Sequence, residues 1–399
     1  MSDRSQHAFV TTPHHLSDLH AALRPGVIDL GLGHPDPALL PLDAIQRASA
    51  RAVARYGAHA LGYGYATGPG PLSDWLCHRI AQHEGRAPDA DEIAITGGIS
   101  QALDQLITLC TKPGDVAMVE SPTYHLAVRI LRDRPLKLVA VPHDADGPDV
   151  AALSALIGRL KREAERPRLL YCVPTFNNPT GKCWSDAVRR EVIQLAAREG
   201  FLIVEDDAYR ELTYDGPAPP SLWSIAPAGS VARLGSFSKS LAPGMRVGWI
   251  TADRDVIARF ATCGLMDSGG GPNQFAAMAV AAYCEAGEFD PQVARFRAAY
   301  RARRDALLNA IAIHLPAGCE ARTPAGGFFV WLRLPGVSAR RLLPTAEAMG
   351  VSFVPGHRFF CDGQGGEDAI RLAFTLYPPA QLQEAVRRLA QAVQAHDQN

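Results

Sequence analysis

Lys239 is the residue around which chemistry first becomes visible. It stands in SFSKSLAPGMRVGW, residues 236–249, where an apolar run ends in small hydroxyl residues, a Pro-Gly turn follows and Arg246 opens the next run. In open α/β sheets ligands bind at the carboxyl ends of strands. A lysine held in such a crevice loses its proton more easily than free lysine, and its neutral amine can form a Schiff base. Ser236, Ser238 and Arg246 can donate hydrogen bonds to a phosphate. Two more apolar runs end in polar groups: NNPTG (177–181) supplies Asn178, and EDDAY (205–209) supplies Asp206 and Tyr209. TGGISQAL (96–103) sets a small-residue turn before a helix, whose N–H groups and positive dipole end suit an anion. Each residue alone also has an ordinary reading. Lys239 can be a solvated loop lysine, Asp206 and Asp207 a solvated pair, and Tyr124, Tyr63 and Tyr65 packed or surface aromatics. Arg371 is harder to dismiss, because it lies in an apolar run where a charge needs a partner.

The runs at 116–120, 137–141, 168–173, 201–205, 231–235 and 246–251 are rich in Val, Ile and Leu and bounded by Pro, Gly or Asp, so they read as buried strands. Residues 101–112, 186–199 and 275–285 read as helices, the first stopped by the KPGD turn at 112–115. Strands alternating with helices predict an α/β domain with a mostly parallel sheet. From about residue 289 the pattern changes to a long Arg- and Ala-rich helix (289–314), a strand (326–334), a helix, a short strand near Val351, a strand (369–375) and a last helix from Pro379. That reads as a smaller α+β domain. The expected division is 1–45 as N-terminal arm, with one short helical stretch, and part of the small domain; 46–287 as the large domain; and 288–399 as the small C-terminal domain. Together the segments around Lys239, Asp206, Asn178 and Gly98 offer an amine, a carboxylate, an amide and a phosphate cradle. Pyridoxal 5′-phosphate (PLP) requires such a set: a lysine for the Schiff base and an acidic partner for the pyridinium nitrogen.

The composition excludes several classes. A chain of 399 residues has room for two to three domains with a large core. Lys plus Arg total 40 and Asp plus Glu 41, a balance that argues against a dedicated nucleic-acid partner. No run approaches the roughly 18 apolar residues that span a bilayer, and the N-terminus lacks a signal peptide's apolar core, so a cytoplasmic protein without a membrane partner is expected. The eight cysteines include no CxxC pair, and there is no HExxH, His14 and His15 lying in a polar stretch; no metal site is expected. GxGxxG, GxxxxGK[ST] and GxSxG are absent, so nicotinamide, P-loop and serine-hydrolase readings lack their fingerprints.

In this order and spacing, SFSKSLAPGMRVGW, NNPTG and EDDAY resemble the fold-type I, PLP-dependent aminotransferases of class I/II. Within them the resemblance is to the 2-aminoadipate/kynurenine aminotransferase group and to the aminotransferase-like domains of MocR-type regulators, over about residues 28–392. It implies an α/β fold: a large domain with a mostly parallel seven-stranded sheet, plus a smaller α+β domain. It implies that Lys239 holds the cofactor, that Asp206 pairs with the pyridinium nitrogen, that Tyr209 and Asn178 hydrogen-bond the phenolic oxygen, and that Tyr124 stacks on the ring. Ser236 and Arg246, with the turn at Gly98, Ile99 and Ser100, would bind the phosphate. Arg371 would clamp the substrate carboxylate with its planar fork, in a pocket shared by Asn178, Gly33 and His34. Tyr63 matches a tyrosine that reaches the phosphate of the neighbouring subunit in a homodimer with active sites at the interface.

The activity implied is ping-pong transamination from an L-amino acid to a 2-oxo acid, with 2-oxoglutarate the expected acceptor and Lys239 moving the proton. Decarboxylase, lyase, racemase and oxidase chemistry on the same cofactor stays open. A non-catalytic sensor of the regulator type is the remoter alternative, since the fold starts near Ile28 and leaves no room for a preceding DNA-binding domain. Some positions depart from the pattern. Ile99 stands where serine is common, and Gly62 where glutamine is. His34 reads equally as a substrate contact or as a cap on its turn. DSGGGPN (267–273) reads as mobile or closely approached backbone near the active site.

Overall fold

The structure, a computed structural model, describes residues 24–396. The short helical stretch expected in the N-terminal arm, and His14 and His15, lie outside them. Seven strands make the main sheet: β1 (Ile93–Thr96), β2 (Val116–Ser121), β3 (Lys137–Pro142), β4 (Pro167–Cys172), β5 (Leu202–Asp206), β6 (Val231–Ser236) and β7 (Gly248–Thr251), in the order β1-β7-β6-β5-β4-β2-β3. All run parallel except β7, which is antiparallel to both its neighbours. Along β2, Ala117 and Val119 join one apolar cluster while Val116 and Met118 join another. The sheet is thus covered on both faces, which is why its strands are continuous apolar runs rather than alternating ones. The parallel carboxyl ends are gathered along one edge of the layer.

The boundaries differ from the sequence reading where the backbone departs from regular geometry. The helix expected at 101–112 is Ile99–Cys110, because Gly98, at φ 100°, is already its cap. The strand expected from Arg246 begins at Gly248. Residues Pro243–Met245 form a single 3₁₀ turn, and Arg246 follows in the left-handed region at φ 51°. The strand expected at 326–334 is Phe329–Arg333. Gly326 packs so tightly on Phe176 that a Cβ there would lie 2.4 Å from the ring's Cζ. β1 was not legible: it has four residues. Nor were the helices Leu42–Tyr56, Gly70–Glu84, His125–Arg132, Val150–Arg162 and Arg254–Ala261. Leu42–Tyr56 buries only Ala48 and Ala52, too narrow a stripe to stand out in the sequence. By contrast Gln274–Glu285, capped by the Asn273 side chain, is buried at every residue from Ala276 to Cys284, as its Ala-rich run suggested.

After the helix Phe289–His314 the chain builds a second, antiparallel sheet from Glu320–Ala321, Phe329–Arg333, Val354–Pro355 and Ala369–Ala373. Phe296, Leu307, Leu382 and Leu389, from the two long helices Phe289–His314 and Pro379–His396, share one core with Val330 and Leu372 of this sheet. The early chain returns to this region: Ile28–Asp29 pairs in parallel with Val351–Ser352. Among the described residues no helix is long and apolar enough to cross a membrane, and no three His, Cys, Asp or Glu side chains cluster as a metal site.

Candidate active site

A cavity of about 900 Å³ opens where the carboxyl ends of β5 and β6 face the second sheet. The turns after β1, β2 and β4 bring Ile99, Ser100, Tyr124 and Asn178 to it, β5 brings Asp206 and Tyr209, and the β6–β7 connection brings Ser236, Lys239 and Arg246. The antiparallel sheet adds Arg371, and the segment after Ile28–Asp29 adds Gly33 and His34. Of the residues singled out in the sequence, Gly98 stands just behind the wall, against Arg246, and Tyr63 lies elsewhere.

Lys239 is held by one hydrogen bond, from Nζ to the carbonyl of Gly33 at 2.9 Å, and its Nζ lies 5.2 Å from the centre of the Phe328 ring. Burial, with the nearby positive charge of Arg371, lowers its pKa to about 8. Burial raises the Asp206 carboxyl to about 6; the Tyr171 phenol, donating to Oδ2 at 2.7 Å, and the Ala208 N–H work against that rise. Lys239 favours the carboxylate as well, so the two groups face each other as a near-neutral base and a buried acid. The ordinary alternative for Asp206 and Asp207, a solvated pair, does not hold, because both are almost wholly buried.

Arg371 is buried. Its Nη1 donates to Asn178 Oδ1 at 3.0 Å and its Nη2 to the Gly31 carbonyl at 2.6 Å, and its guanidinium packs 4.2 Å from the Phe329 ring centre and 5.0 Å from that of Phe359. Burial lowers its pKa to about 10, and Nε is buried without a partner. The same Asn178 is hydrogen-bonded to Tyr209, so amide, phenol and guanidinium form one chain. Burial pushes both Tyr209 and Tyr124 phenols up, the latter to about 12. Gly33 has no room for a side chain: a Cβ would meet Phe329 Cζ at 2.8 Å. His34 lines the cavity while its carbonyl accepts from Thr375 Oγ1 at 2.7 Å.

Arg246 turns back over the start of the Ile99–Cys110 helix, with Nη2 on the Gly97 carbonyl at 2.9 Å and Nη1 3.4 Å from Ser238 Oγ. A Cβ on Gly98 would lie 2.6 Å from that Nη2, so glycine is what admits the guanidinium. Ser236 Oγ accepts from the Ser238 N–H at 3.0 Å. The helix end, two hydroxyls and a guanidinium without a carboxylate partner form a cradle whose chemistry fits a phosphate. With Lys239 and Asp206 beyond it, the donor set fits PLP.

Tyr63 lies outside this cavity. It is 94% exposed, lines a separate hollow of about 320 Å³ and rests against Gly269. The glycine-rich stretch is closely approached there, by Tyr63 at Gly269 and by Leu265 at Gly270. Sequence reasoning missed Tyr171, His125, Phe329 and Arg358. Tyr171 carried a usable signal: a phenol in a strand read as fully buried needs a hydrogen-bond partner. The other three reach the cavity only through tertiary packing.

Comparison with known proteins agrees with this geometry. Residues 25–389 match the family model described as aminotransferase class I and II. The chain is 35% identical to the 2-aminoadipate transaminase of Thermus thermophilus, over 93% of this chain and 91% of that protein. It is 33% identical to aromatic-amino-acid aminotransferase 1 of Thermococcus litoralis, over 92% and 88%. Its fold is similar to that of the Pyrococcus horikoshii kynurenine aminotransferase, solved with PMP, at a TM-score of 0.88 and 31% identity over 93% of this chain and 91% of that one.

Proposed function

This chain belongs to the class I and II aminotransferases and is a PLP-dependent enzyme that moves an amino group from an amino acid to a 2-oxo acid; from that premise we propose which residues do the work. Lys239 carries the cofactor and is the acid–base group. The observation that supports this most is its position, partly buried beside Asp206 and Arg371 just after the carboxyl end of β6, with a pKa lowered to about 8. When bound, the cofactor supplies an electron sink for the charge left at the substrate's Cα. Lys239 Nζ takes the proton from that carbon and gives it up later in the transfer. A base poised near the working pH is suited to both.

Asp206, kept ionised with help from Tyr171, holds the pyridinium nitrogen. Tyr209 and Asn178 hydrogen-bond the phenolic oxygen, and Tyr124 covers the ring. Arg246, Ser236 and the turn of Gly98, Ile99 and Ser100 hold the phosphate. Arg371 takes the α-carboxylate; its two terminal nitrogens, on Asn178 and Gly31, support that reading by fixing the fork in place. Gly33 and His34 form the wall beside it.

The division of the chain near residues 45 and 287, a cytoplasmic location and a homodimer are parts of the same proposal. Exposed Leu61, Tyr63, Tyr65 and Phe275 around the smaller hollow support a second copy there, with Tyr63 directed to the partner's phosphate. The near-UV/visible spectrum tests the assignment. The holoenzyme's yellow band should be lost on adding pooled amino acids and restored by 2-oxoglutarate. A band that shifts but is cycled by no oxo acid would point to another reaction on this cofactor.

A further inference from the structure

The charged groups around the cavity do not balance. Arg24 is paired with Asp29 at 3.2 Å and with Glu347 at 2.9 Å, so both acids are engaged within the wall and the three together leave one negative charge there. Lys239, Arg246, Arg358 and Arg371 are left without an ion pair among the described residues, and the one acid of the lining outside the Arg24 group is Asp206. In the assignment above the phosphate answers Arg246 and the α-carboxylate answers Arg371. Arg358 remains. Among the described residues its guanidinium has no hydrogen-bond or ion-pair partner, although it lines the cavity.

Its place is fixed by its neighbour. Arg358 sits in the short turn Gly356–Phe359, and the Phe359 carbonyl accepts from the Thr123 N–H at 2.9 Å, tying the turn to the loop after β2. The Phe359 ring lies 5.0 Å from the Arg371 guanidinium and 5.1 Å from the His125 ring. Arg358 is therefore presented on the Arg371 side of the cavity, close enough that its charge bears on both Arg371 and His125. A cation placed beside another cation is held there at a cost unless an anion joins it.

Resting on the assignment of Arg371 to the α-carboxylate, we propose that Arg358 is a second carboxylate site, which reads the distal carboxylate of a dicarboxylic amino acid and of its 2-oxo acid. A dicarboxylate engages both arginines, whereas a neutral substrate engages Arg371 alone. Arg358 is exposed at the cavity mouth, so its contribution is screened by salt, unlike that of buried Arg371.

The test compares two pairs of probes on the holoenzyme and on Arg358→Ala. In calorimetry, wild type should bind glutarate more tightly than pentanoate, and Arg358→Ala should lose that preference by about tenfold, as expected for one charge-assisted contact. In turnover, the preference for 2-oxoglutarate over phenylpyruvate should fall by a similar factor, through KM rather than kcat, with part recovered in Arg358→Lys. An unchanged preference in both experiments would mean a solvated rim arginine and overturn the proposal. So would an equal loss for both members of each pair, which marks a structural role. Arg371→Gln separates the underlying assignment: if it leaves pentanoate binding intact, the α-carboxylate reading has failed, whatever Arg358 does.

Discussion

Asp206 and Asp207 are neighbours in the chain and end in two different charge environments. Asp207 belongs to a buried cluster in which every ion has an opposite: its Oδ2 takes Arg233 Nε at 2.8 Å and Arg210 Nε at 2.5 Å, and Arg233 Nη1 reaches Glu84 at 2.6 Å. Burial pushes the Glu84 carboxyl up, but Arg233 and Arg210 override it and hold the group at about 2. Asp206 faces the cavity, where cations outnumber anions and Arg371 has no ion-pair partner among the described residues. The residue types are the same. Paired, they close on one another and fix the seam between β5, β6 and the Gly70–Glu84 helix. Unpaired, they are kept available for a ligand, at some cost to the free protein.

The contrast can be broken at three points, in falling order of effect. Lys239→Ala should cut turnover by about three to four orders of magnitude or more. Borohydride treatment should no longer leave cofactor mass on the chain; a labelled lysine elsewhere would displace Lys239 from its role. Arg233→Met opens the paired cluster and leaves buried carboxylates uncompensated, so denaturant unfolding should show a loss of about 3–5 kcal/mol. Arg371→Met should do the opposite in the ligand-free protein, raising the thermal midpoint by about 1–3 °C, while raising the KM for the amino donor by about 100-fold. If both arginine variants lose stability alike, the distinction between the two regions fails.

The smallest effect sharpens the comparison rather than breaking it. Tyr171 donates to the ionised form of Asp206 and so lowers its pKa. Tyr171→Phe lets the carboxyl keep its proton to higher pH. The acid limb of the kcat/KM profile that Asp206 governs should move to higher pH. An unmoved limb would detach Tyr171 from that titration.

Much of this site was legible before any coordinates. Lys239, Asp206 and Asn178 follow apolar runs that read as strands because both faces of the sheet are covered, and the motifs carried their own spacing. What stayed illegible has a physical pattern. β1 is too short to show periodicity, and Leu42–Tyr56 buries too little. Arg246 sits in a left-handed conformation that no strand pattern announces, yet that conformation aims its guanidinium at the Gly97 carbonyl.

The sequence by itself determined the kinds of chemistry present and the strands that would present them, because local apolar runs and punctuating glycines and prolines act within a few residues. Only the tertiary structure decided which charges would meet. Arg371 and Asn178 are far apart in the chain and bonded at 3.0 Å, and adjacent Asp206 and Asp207 are sent to opposite fates. Charge pairing depends on distance in space and on burial, and neither is written at any one position of the chain.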